Sequence, residues 1–349
     1  MKLGLGLYPH LLTPENVRFA RQVGATHIVA HLPDWTSSGK RGVALDAGGR
    51  SPLWSYEELR DLRAMINAEG MELAAIENFE PHHWHDILLD GPRKAEQMDG
   101  LKTIIRNMGR AGIPVMGYNF SIAGVWGRTH GPWARGGARS VGYVESEAPP
   151  QDPIPNGTVW NMVYDPQAPA GTIGTVTSEQ LWSRLEYFLK ELVPVAEEAG
   201  VRLAAHPDDP PLPALRGAAR LVYKPELYQR LLDIVPSPAN ALEFCQGTIA
   251  EMQGEMDVYE AIDRYAGQRR IAYVHFRNVR GKVPNYHEVF LDEGDVDMIR
   301  ALRLYHKHGY DGVLIPDHTP AVECAAPWHA GMAWALGYMR AAITMIERE

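Results

Sequence analysis

Eight short apolar runs punctuate the chain, and longer amphipathic segments lie between them. The runs are Leu3–Tyr8, His27–Leu32, Leu73–Asn78, Pro114–Phe120, Arg202–Pro207, Ala241–Gly247, Ile271–Asn278 and Gly312–His318. Each run is too short and too continuously apolar for a surface helix, so it predicts a buried strand. Buried strands that alternate with helices are typical of a parallel sheet covered by those helices.

The segments between the runs carry the start and stop signals of helices. Thr13–Glu15 places an N-cap threonine before a proline at the first helical position, and Ser55–Glu58 has the spacing of a capping box. Predicted helices end at four glycines directly before strands, as a glycine C-cap predicts: Gly24, Gly112, Gly200 and Gly309. Further helices are expected near 94–112, 178–200, 224–234, 258–266, 296–309 and 331–347.

Eight strand–helix units predict an α/β fold, a TIM (β/α)8 barrel. A doubly wound sheet is the rival, but the glycines of LGLGL lie inside the first run and do not continue a phosphate-binding GxGxxG pattern. We expect one domain over residues 1–349, with a long irregular insertion at 121–177 after strand four. Long loops usually carry function, so we expect a lid that brings arginines to an anionic substrate; a purely structural insertion is the alternative.

Composition narrows the class of protein. The net charge of −9 argues against a nucleic-acid partner. The sequence contains no run of about 18 apolar residues, so we expect no transmembrane helix. The start, MKLGLGLYPH, lacks the pattern of a signal peptide. Cys245 and Cys324 are the two cysteines, too few for a disulfide scaffold, so we expect a cytoplasmic protein with free thiols.

Four of the runs carry, towards their carboxyl ends, a side chain that can bind a metal ion: His206, Cys245, His275 and Asp317. They lie on predicted strands five to eight, whose carboxyl ends meet at the active-site end of a barrel. A lone buried His or Cys is more often a core residue, but four on adjacent strands favour a metal site. Nitrogen, sulfur and oxygen ligands together suit Mn²⁺, Fe²⁺ or Zn²⁺ better than Mg²⁺ or Ca²⁺.

Longer segments resemble the mannonate dehydratase family, metal-dependent sugar-acid dehydratases on a TIM barrel related to xylose isomerase. The similar segments are IRNMGRAGIPVMGYNF (Ile105–Phe120), WGRT (Trp126–Thr129), AAHPDDPP (Ala204–Pro211), LLDIVPSPANALEFCQGT (Leu231–Thr248), VHFRNV (Val274–Val279) and PDH (Pro316–His318). The resemblance implies the same four ligands, Mn²⁺ or Fe²⁺ as the ion, and dehydration of D-mannonate to 2-keto-3-deoxy-D-gluconate in glucuronate catabolism.

A dehydratase needs groups that remove and supply protons. His318 directly follows Asp317 and is the best candidate for the acid or base; a loop histidine that only supports a ligand is the alternative. Neighbouring strand residues point to opposite faces, so His318 reaches the site only if the strand ends at Asp317.

Other polar residues at strand ends are candidates for substrate binding. They are Tyr118, Asn119, Arg128, His85, Arg277 and Asn278. The guanidinium of Arg128 suits a bidentate contact with a carboxylate. Which of His82, His83 and His85 faces the pocket is left open. The alternative for each candidate is a loop residue that satisfies nearby backbone groups.

The chain departs from the family pattern at several positions. The family commonly has arginine and glycine where Ile315 and Thr319 stand here, and a tyrosine near the start of its last helix. That tyrosine is absent from AAPWHAGMAWALGYMR, so we hypothesise that His329 takes over its catalytic role.

Two other functions stay open. One is a metal-dependent sugar isomerase or epimerase of the xylose isomerase-like type, because that chemistry also begins with proton removal beside a metal-bound oxygen. The other is a non-catalytic sugar-acid binding or regulatory protein that retained the metal. In each case the partner is a small sugar acid or sugar, and a homo-oligomer is expected only from general frequency.

Overall fold

A closed barrel of parallel strands forms the centre of the molecule. The computed structural model describes residues 1–33 and 53–349. The strands in chain order are β1 (Lys2–Leu7), β2 (His27–His31), β3 (Glu72–Glu77), β4 (Val115–Tyr118), β5 (Thr129–Ala134), β6 (Ala138–Val144), β7 (Thr158–Val159), β8 (Met162–Val163), β9 (Arg202–Ala205), β10 (Ala214–Leu215), β11 (Ala218–Ala219), β12 (Asn240–Cys245), β13 (Ile271–His275), β14 (Asn278–Lys282), β15 (Asn285–Val289) and β16 (Val313–Ile315).

Helices follow most of the barrel strands. They are α1 (Pro14–Gln22), α2 (Tyr56–Ala68), α3 (Pro81–Leu89), α4 (Lys94–Ala111), α5 (Ser178–Ala199), α6 (Leu227–Ile234), α7 (Gln246–Glu251), α8 (Val258–Gly267), α9 (Met298–Lys307) and α10 (Pro327–Ile346). Within the described residues, none of these helices is long and apolar enough to cross a membrane.

The predicted TIM barrel is confirmed. Neighbours around the ring are β1, β2, β3, β4, β9, β12, β13 and β16, and β16 closes the ring against β1. Each of the eight apolar runs overlaps one of these strands, and no strand begins more than one residue before its run. The strands pair in parallel, so their carboxyl ends lie at one end of the barrel.

Local signals in the sequence set the ends of several helices as predicted. Ser55 and Glu58 form the reciprocal capping box at the start of α2. Gly112 and Gly200 adopt the left-handed conformation directly after α4 and α5, where a side chain would be strained. Two helices were not anticipated: α3, which contains the PHHWH cluster, and the short buried α7 directly after β12.

Apolar side chains fill the barrel interior and the layer between barrel and helices. Small residues such as Ala75, Ala204 and Ala241 share the interior with the larger Tyr273. The hydroxyl of Tyr273 reaches across to β4, where a Cβ on Gly117 would collide with it. A glycine in β4 is therefore what allows this tyrosine to cross the interior.

A second sheet stands at the carboxyl end of the barrel. It is antiparallel, in the order β14, β15, β6 and β5. β5 and β6 belong to residues 121–177, so the expectation of an irregular stretch there is wrong in part. The partner of β6 is β15, about 140 residues later in the chain, with Tyr143 opposite Tyr286. Local sequence patterns do not reveal a pairing of such long range.

We predict opposite effects for two helical glycines. A Cβ on Gly109 of α4 would lie 2.9 Å from the Cβ of Ala199, so Gly109→Ala should lower the free energy of unfolding by about 1–3 kcal/mol. Gly337 of α10 has open space around it, so Gly337→Ala should raise that free energy by up to about 1 kcal/mol. Chemical denaturation measures both, and equal effects at the two sites would contradict the close packing of α4 on α5.

Candidate metal centre

Three side chains at the carboxyl ends of neighbouring strands come together. His206 directly follows β9, Cys245 ends β12 and His275 ends β13. Their ligand atoms, two imidazole nitrogens and one thiol sulfur, all lie within 4.8 Å of one another. Cys245 and His275 are direct partners in the parallel register. One divalent ion fits between three such ligands, since each metal–ligand bond is roughly 2.0–2.3 Å long.

Asp317, the fourth predicted ligand, lies beside this set. Its Oδ2 is 3.4 Å from Nδ1 of His275. Asp317 comes two residues after β16 and has a φ of +57°, so the chain turns there instead of continuing as a strand. Asp317 and His318 consequently line the same cavity. His318 could reach the site only if the strand ended by Asp317, and it does.

The ligand atoms are in states that suit a metal ion. Nδ1 of His206 lies 2.6 Å from the carbonyl oxygen of Pro207, so Nδ1 donates and Nε2 is left as the ligand atom. Nδ1 of His275 is buried without a hydrogen-bond partner among the described residues. This donor set of nitrogen, sulfur and oxygen fits a divalent transition metal or zinc.

The environment of Cys245 favours the thiolate. Although burial raises the pKa of this thiol, the positive charge of Arg277 and the neighbouring imidazoles of His206 and His275 bring that pKa well below its ordinary value. Thr248 also donates a hydrogen bond to the sulfur, at 3.1 Å. A thiolate is the form of cysteine that binds metals.

Two buried carboxyl groups orient the ring of His275 from below. Nε2 of His275 is 3.2 Å from Oε2 of Glu77 and 3.2 Å from Oε1 of Glu243. The hydroxyl of Tyr273 donates to the same oxygen of Glu77 at 3.2 Å. Glu77 thus accepts hydrogen bonds from both His275 and Tyr273, and this support turns Nδ1 of His275 towards Asp317. The buried oxygens of Glu243 have no hydrogen-bond partner among the described residues.

The two carboxyl groups differ in charge. Burial raises the pKa of both, and the charge of Glu77 raises that of Glu243 further, well above its ordinary value. His31 and His275 outweigh burial at Glu77 and lower its pKa to about 2. Glu77 is therefore ionised and Glu243 protonated, as two carboxyls at close range require.

Arg277 binds four acidic side chains and does not line the cavity. Its guanidinium contacts Glu251 and Glu288 at 2.9 Å, Asp209 at 2.7 Å and Oδ2 of Asp317 at 3.2 Å. The expectation that Arg277 binds substrate is corrected, because its nitrogens face these carboxylates. Its position instead holds Asp317 in place and balances the negative charge around Cys245.

A cavity of about 480 Å³ adjoins the predicted metal ligands, a size within the range of small-molecule sites. It is lined by Tyr8, His31, Glu77, Asn78, Asn119, Val125, Arg128, His130, Val141, Trp160, His206, His275, Asp317 and His318. The stretch 121–177 supplies one wall, with Val125 and Val141 as apolar members beside Trp160. Most of the other lining residues are polar, and they include the predicted ligands His206, His275 and Asp317.

Two of the predicted substrate-binding residues line this cavity. Arg128 pairs with Asp209 through Nη2, while its buried Nε has no hydrogen-bond partner among the described residues. Asn119 donates to the carbonyl of Pro207 at 3.0 Å and accepts from the indole of Trp160 at 2.9 Å. Arg128 thus offers a donor to an anion, whereas Asn119 joins the wall at 121–177 to strand β4.

His318 is held by a carboxylate on the second sheet. Its Nδ1 is 3.1 Å from both oxygens of Glu288 on β15, and its side chain is half-buried. Although burial lowers the pKa of His318, the negative charges of Asp317 and Glu288 raise it above its ordinary value. A cation bound by Asp317 would offset the charge of Asp317 and so reduce its effect on the pKa of His318.

Three other predicted contacts with substrate are not found, so these expectations are corrected. The ring of Tyr118 packs against Phe188 of α5, with ring centres 5.0 Å apart, on the outside of the barrel. His85 stacks on Tyr164 at 3.9 Å, and none of the three histidines of PHHWH lines the cavity. The amide of Asn278 donates to main-chain carbonyls that follow β15.

The hypothesis that His329 takes a catalytic role is also corrected. Nε2 of His329 is 3.0 Å from Oδ1 of Asn16, and its ring packs edge-on against Phe19 of α1. His329 is not among the residues that line the cavity. The side chain fastens α10 to α1, because the first turn of α10 presents it to that neighbouring helix.

The sequence pattern that predicted the metal ligands, a polar residue at the carboxyl end of an apolar run, also fits cavity residues that were not predicted. Tyr8, His31 and Glu77 each lie at the carboxyl end of an early apolar run, as the predicted ligands do at the later runs. Extending the same rule to strands one to three finds them. Trp160 and His130 come from the insertion, and no local pattern distinguishes them.

The two cysteines provide a matched test of metal binding. Cys245 is buried among the predicted ligands, whereas Cys324 is exposed. Cys245→Ala should lower the affinity for a divalent ion by roughly 100-fold or more, beyond the effect of losing an outer hydrogen-bonding partner. Cys324→Ala should leave it unchanged. Equilibrium dialysis with elemental analysis measures this, and equal affinity in both variants would exclude Cys245 as a ligand.

Comparisons with known proteins identify the family to which this chain is similar. The family model described as D-mannonate dehydratase matches residues 12–334. A mannonate dehydratase of Streptococcus pneumoniae (strain 70585) is 34% identical over 277 residues, which cover 76% of this chain and 74% of that protein. Mannonate dehydratase 2 of Halalkalibacterium halodurans is 30% identical, with 76% and 79% covered.

Solved structures show the same relationship. The crystal structure of mannonate dehydratase from Streptococcus suis serotype 2 superposes with a TM-score of 0.82 at 27% identity, covering 100% of this chain and 94% of that one. A structure of L-ribulose 3-epimerase gives a TM-score of 0.57 at 14% identity, covering 99% and 95%, and this likeness shows the fold alone. By sequence and by structure, this chain belongs to the mannonate dehydratase family.

Proposed function

We propose that this protein dehydrates D-mannonate to 2-keto-3-deoxy-D-gluconate with the help of one divalent metal ion. Membership of the family supports this reaction. The single observation that carries it is the meeting of His206, Cys245 and His275 beside a cavity that also holds Arg128 and His318. A metal-binding group, an anion-binding group and a proton-transfer group thus face one space.

The ion is proposed to be held by His206, Cys245, His275 and Asp317. Mn²⁺ or Fe²⁺ suits this set best, and Zn²⁺ is compatible with it. When bound, the ion supplies Lewis-acid stabilisation of the negative charge that develops beside the substrate carboxylate.

The residues of the chain supply binding and proton transfer. Arg128 lines the cavity and is proposed to bind the carboxylate of the sugar acid with its guanidinium. His318, held at Nδ1 by Glu288, is proposed to remove the proton on C2. Val125, Val141 and the indole of Trp160 shield that side of the cavity from water.

We further propose that the chain works as a single domain in which residues 121–177 cover the cavity. β5 and β6 of this segment pair with the sheet that carries Glu288, so the cover is anchored beside His318. A cytoplasmic location with a place in glucuronate catabolism, and assembly into a homo-oligomer, complete the proposal.

The direct test starts from metal-depleted protein. D-Mannonate is added with Mn²⁺, Fe²⁺, Zn²⁺ or Mg²⁺, and 2-keto-3-deoxygluconate is measured. We expect product with Mn²⁺ or Fe²⁺ and little with Mg²⁺, since a thiolate and two imidazoles bind Mg²⁺ weakly. Folded, metal-loaded protein that makes no product would exclude D-mannonate, and isomerised or epimerised sugar in the same assay would support the isomerase alternative.

Arg128 allows a sharper test of substrate binding. Arg128→Lys keeps a positive charge for Asp209 but removes the planar set of donors, so KM for D-mannonate should rise roughly tenfold or more at unchanged metal content. Arg135→Lys is the matched control, because Arg135 lies on the same hairpin and pairs with the exposed Asp292. Equal KM values in the wild type and both variants would remove Arg128 from the binding site.

A further inference from the structure

Dehydration requires two proton-transfer groups, because one group removes a proton from carbon and another protonates the departing hydroxyl. The proposed function assigns the first role to His318. The second role has to belong to a group that faces the same cavity, keeps a transferable proton and is not already bound to another residue.

Most other titratable groups of the cavity do not meet these conditions. Glu77 already accepts hydrogen bonds from Tyr273 and His275. His31 is buried, with Nδ1 3.5 Å from Oε1 of Glu77, and burial lowers its pKa. His130 is exposed on β5. These three side chains therefore serve as supports or face solvent.

Tyr8 meets the conditions. It directly follows β1, lines the cavity with Asp317 and His318, and stacks on the ring of His31 with ring centres 4.4 Å apart. Its hydroxyl makes no hydrogen bond to any residue in the ranges 1–33 and 53–349. We propose that Tyr8 is a catalytic residue, the general acid that protonates the leaving hydroxyl on C3. This inference rests on the proposed dehydratase function.

The surroundings keep the proton on Tyr8 until it is needed. Burial raises the pKa of the phenol, and the charges of Asp317 and Glu77 raise it further. The stacked imidazole of His31, which Glu77 contacts on its other side, holds the phenol ring in one orientation. His31, at the end of β2, thus positions the side chain of Tyr8, which directly follows β1.

The proposed dehydration moves protons between the sugar acid and these two residues. His318 takes the C2 proton as the C3–O bond breaks, and the phenolic proton of Tyr8 goes to the hydroxyl, which leaves as water. The resulting enol returns its C2 hydroxyl proton to the phenolate of Tyr8. C3 takes the proton held by His318, which yields the 2-keto-3-deoxy acid and restores both residues.

Tyr8→Phe is the test, because it keeps the ring that stacks on His31 and removes only the hydroxyl. With D-mannonate, kcat should fall by roughly 100-fold or more, with KM and metal content near the wild-type values. With 3-deoxy-3-fluoro-D-mannonate the leaving group is fluoride, which departs without a proton. Fluoride release by the variant should stay within roughly fivefold of the wild type, a difference that only loss of an acid explains.

Tyr187→Phe is the matched control, because Tyr187 is a tyrosine on the outer helix α5 and should keep both activities. Retained fluoride release also shows that the variant is folded and holds its ion. Equal losses of Tyr8→Phe on both substrates, or no loss on D-mannonate, would overturn the role of Tyr8 while the dehydratase function stands. A wild-type protein without dehydratase activity would overturn the function and this inference together.

Discussion

The ion pairs of the buried Arg277 guanidinium hold the charged groups of the site together. Arg277 neutralises a group of carboxylates that would otherwise repel each other in the interior, and it also lies close to the thiol of Cys245. Without this positive charge, Asp209 and Glu288 would be uncompensated buried carboxylates, which is energetically costly. Asp209 in turn holds Arg128, and Glu288 holds His318. Arg128 and His318, which line the cavity, are thus linked through one arginine to the predicted metal ligand Asp317.

The barrel and the second sheet each position a different part of the site. The parallel register sets the separation of Cys245 and His275, and the rigid strands beneath them fix it. The antiparallel sheet brings Glu288 and Tyr286 from β15 to the same end. Two levels of carboxyl groups then support the centre, since Glu77 and Glu243 lie under His275 while the partners of Arg277 lie beside it. This arrangement explains why so many charged groups are buried here.

The structure brings the predicted site residues together where the position of a residue along a strand decides its direction. Polar residues that end apolar runs meet at one end of a parallel barrel, and this rule located His206, Cys245, His275, Asp317 and His318 from the sequence. The same rule, applied to the first three runs, points to Tyr8, His31 and Glu77. Predictions were wrong for His85 and His329, because both lie on helices, where the direction of a side chain depends on how the helix packs.

The sequence by itself determined the barrel, its strand order and the identity of the residues at its carboxyl end. It could do so because hydrophobic periodicity and helix caps act over a few residues. Only the tertiary structure decided which polar groups are free and which are bound to each other. Arg277 and Arg128 look equivalent in sequence, yet one faces four carboxylates and the other faces the cavity. That difference depends on β6 pairing with β15 across about 140 residues, a contact that no local pattern encodes.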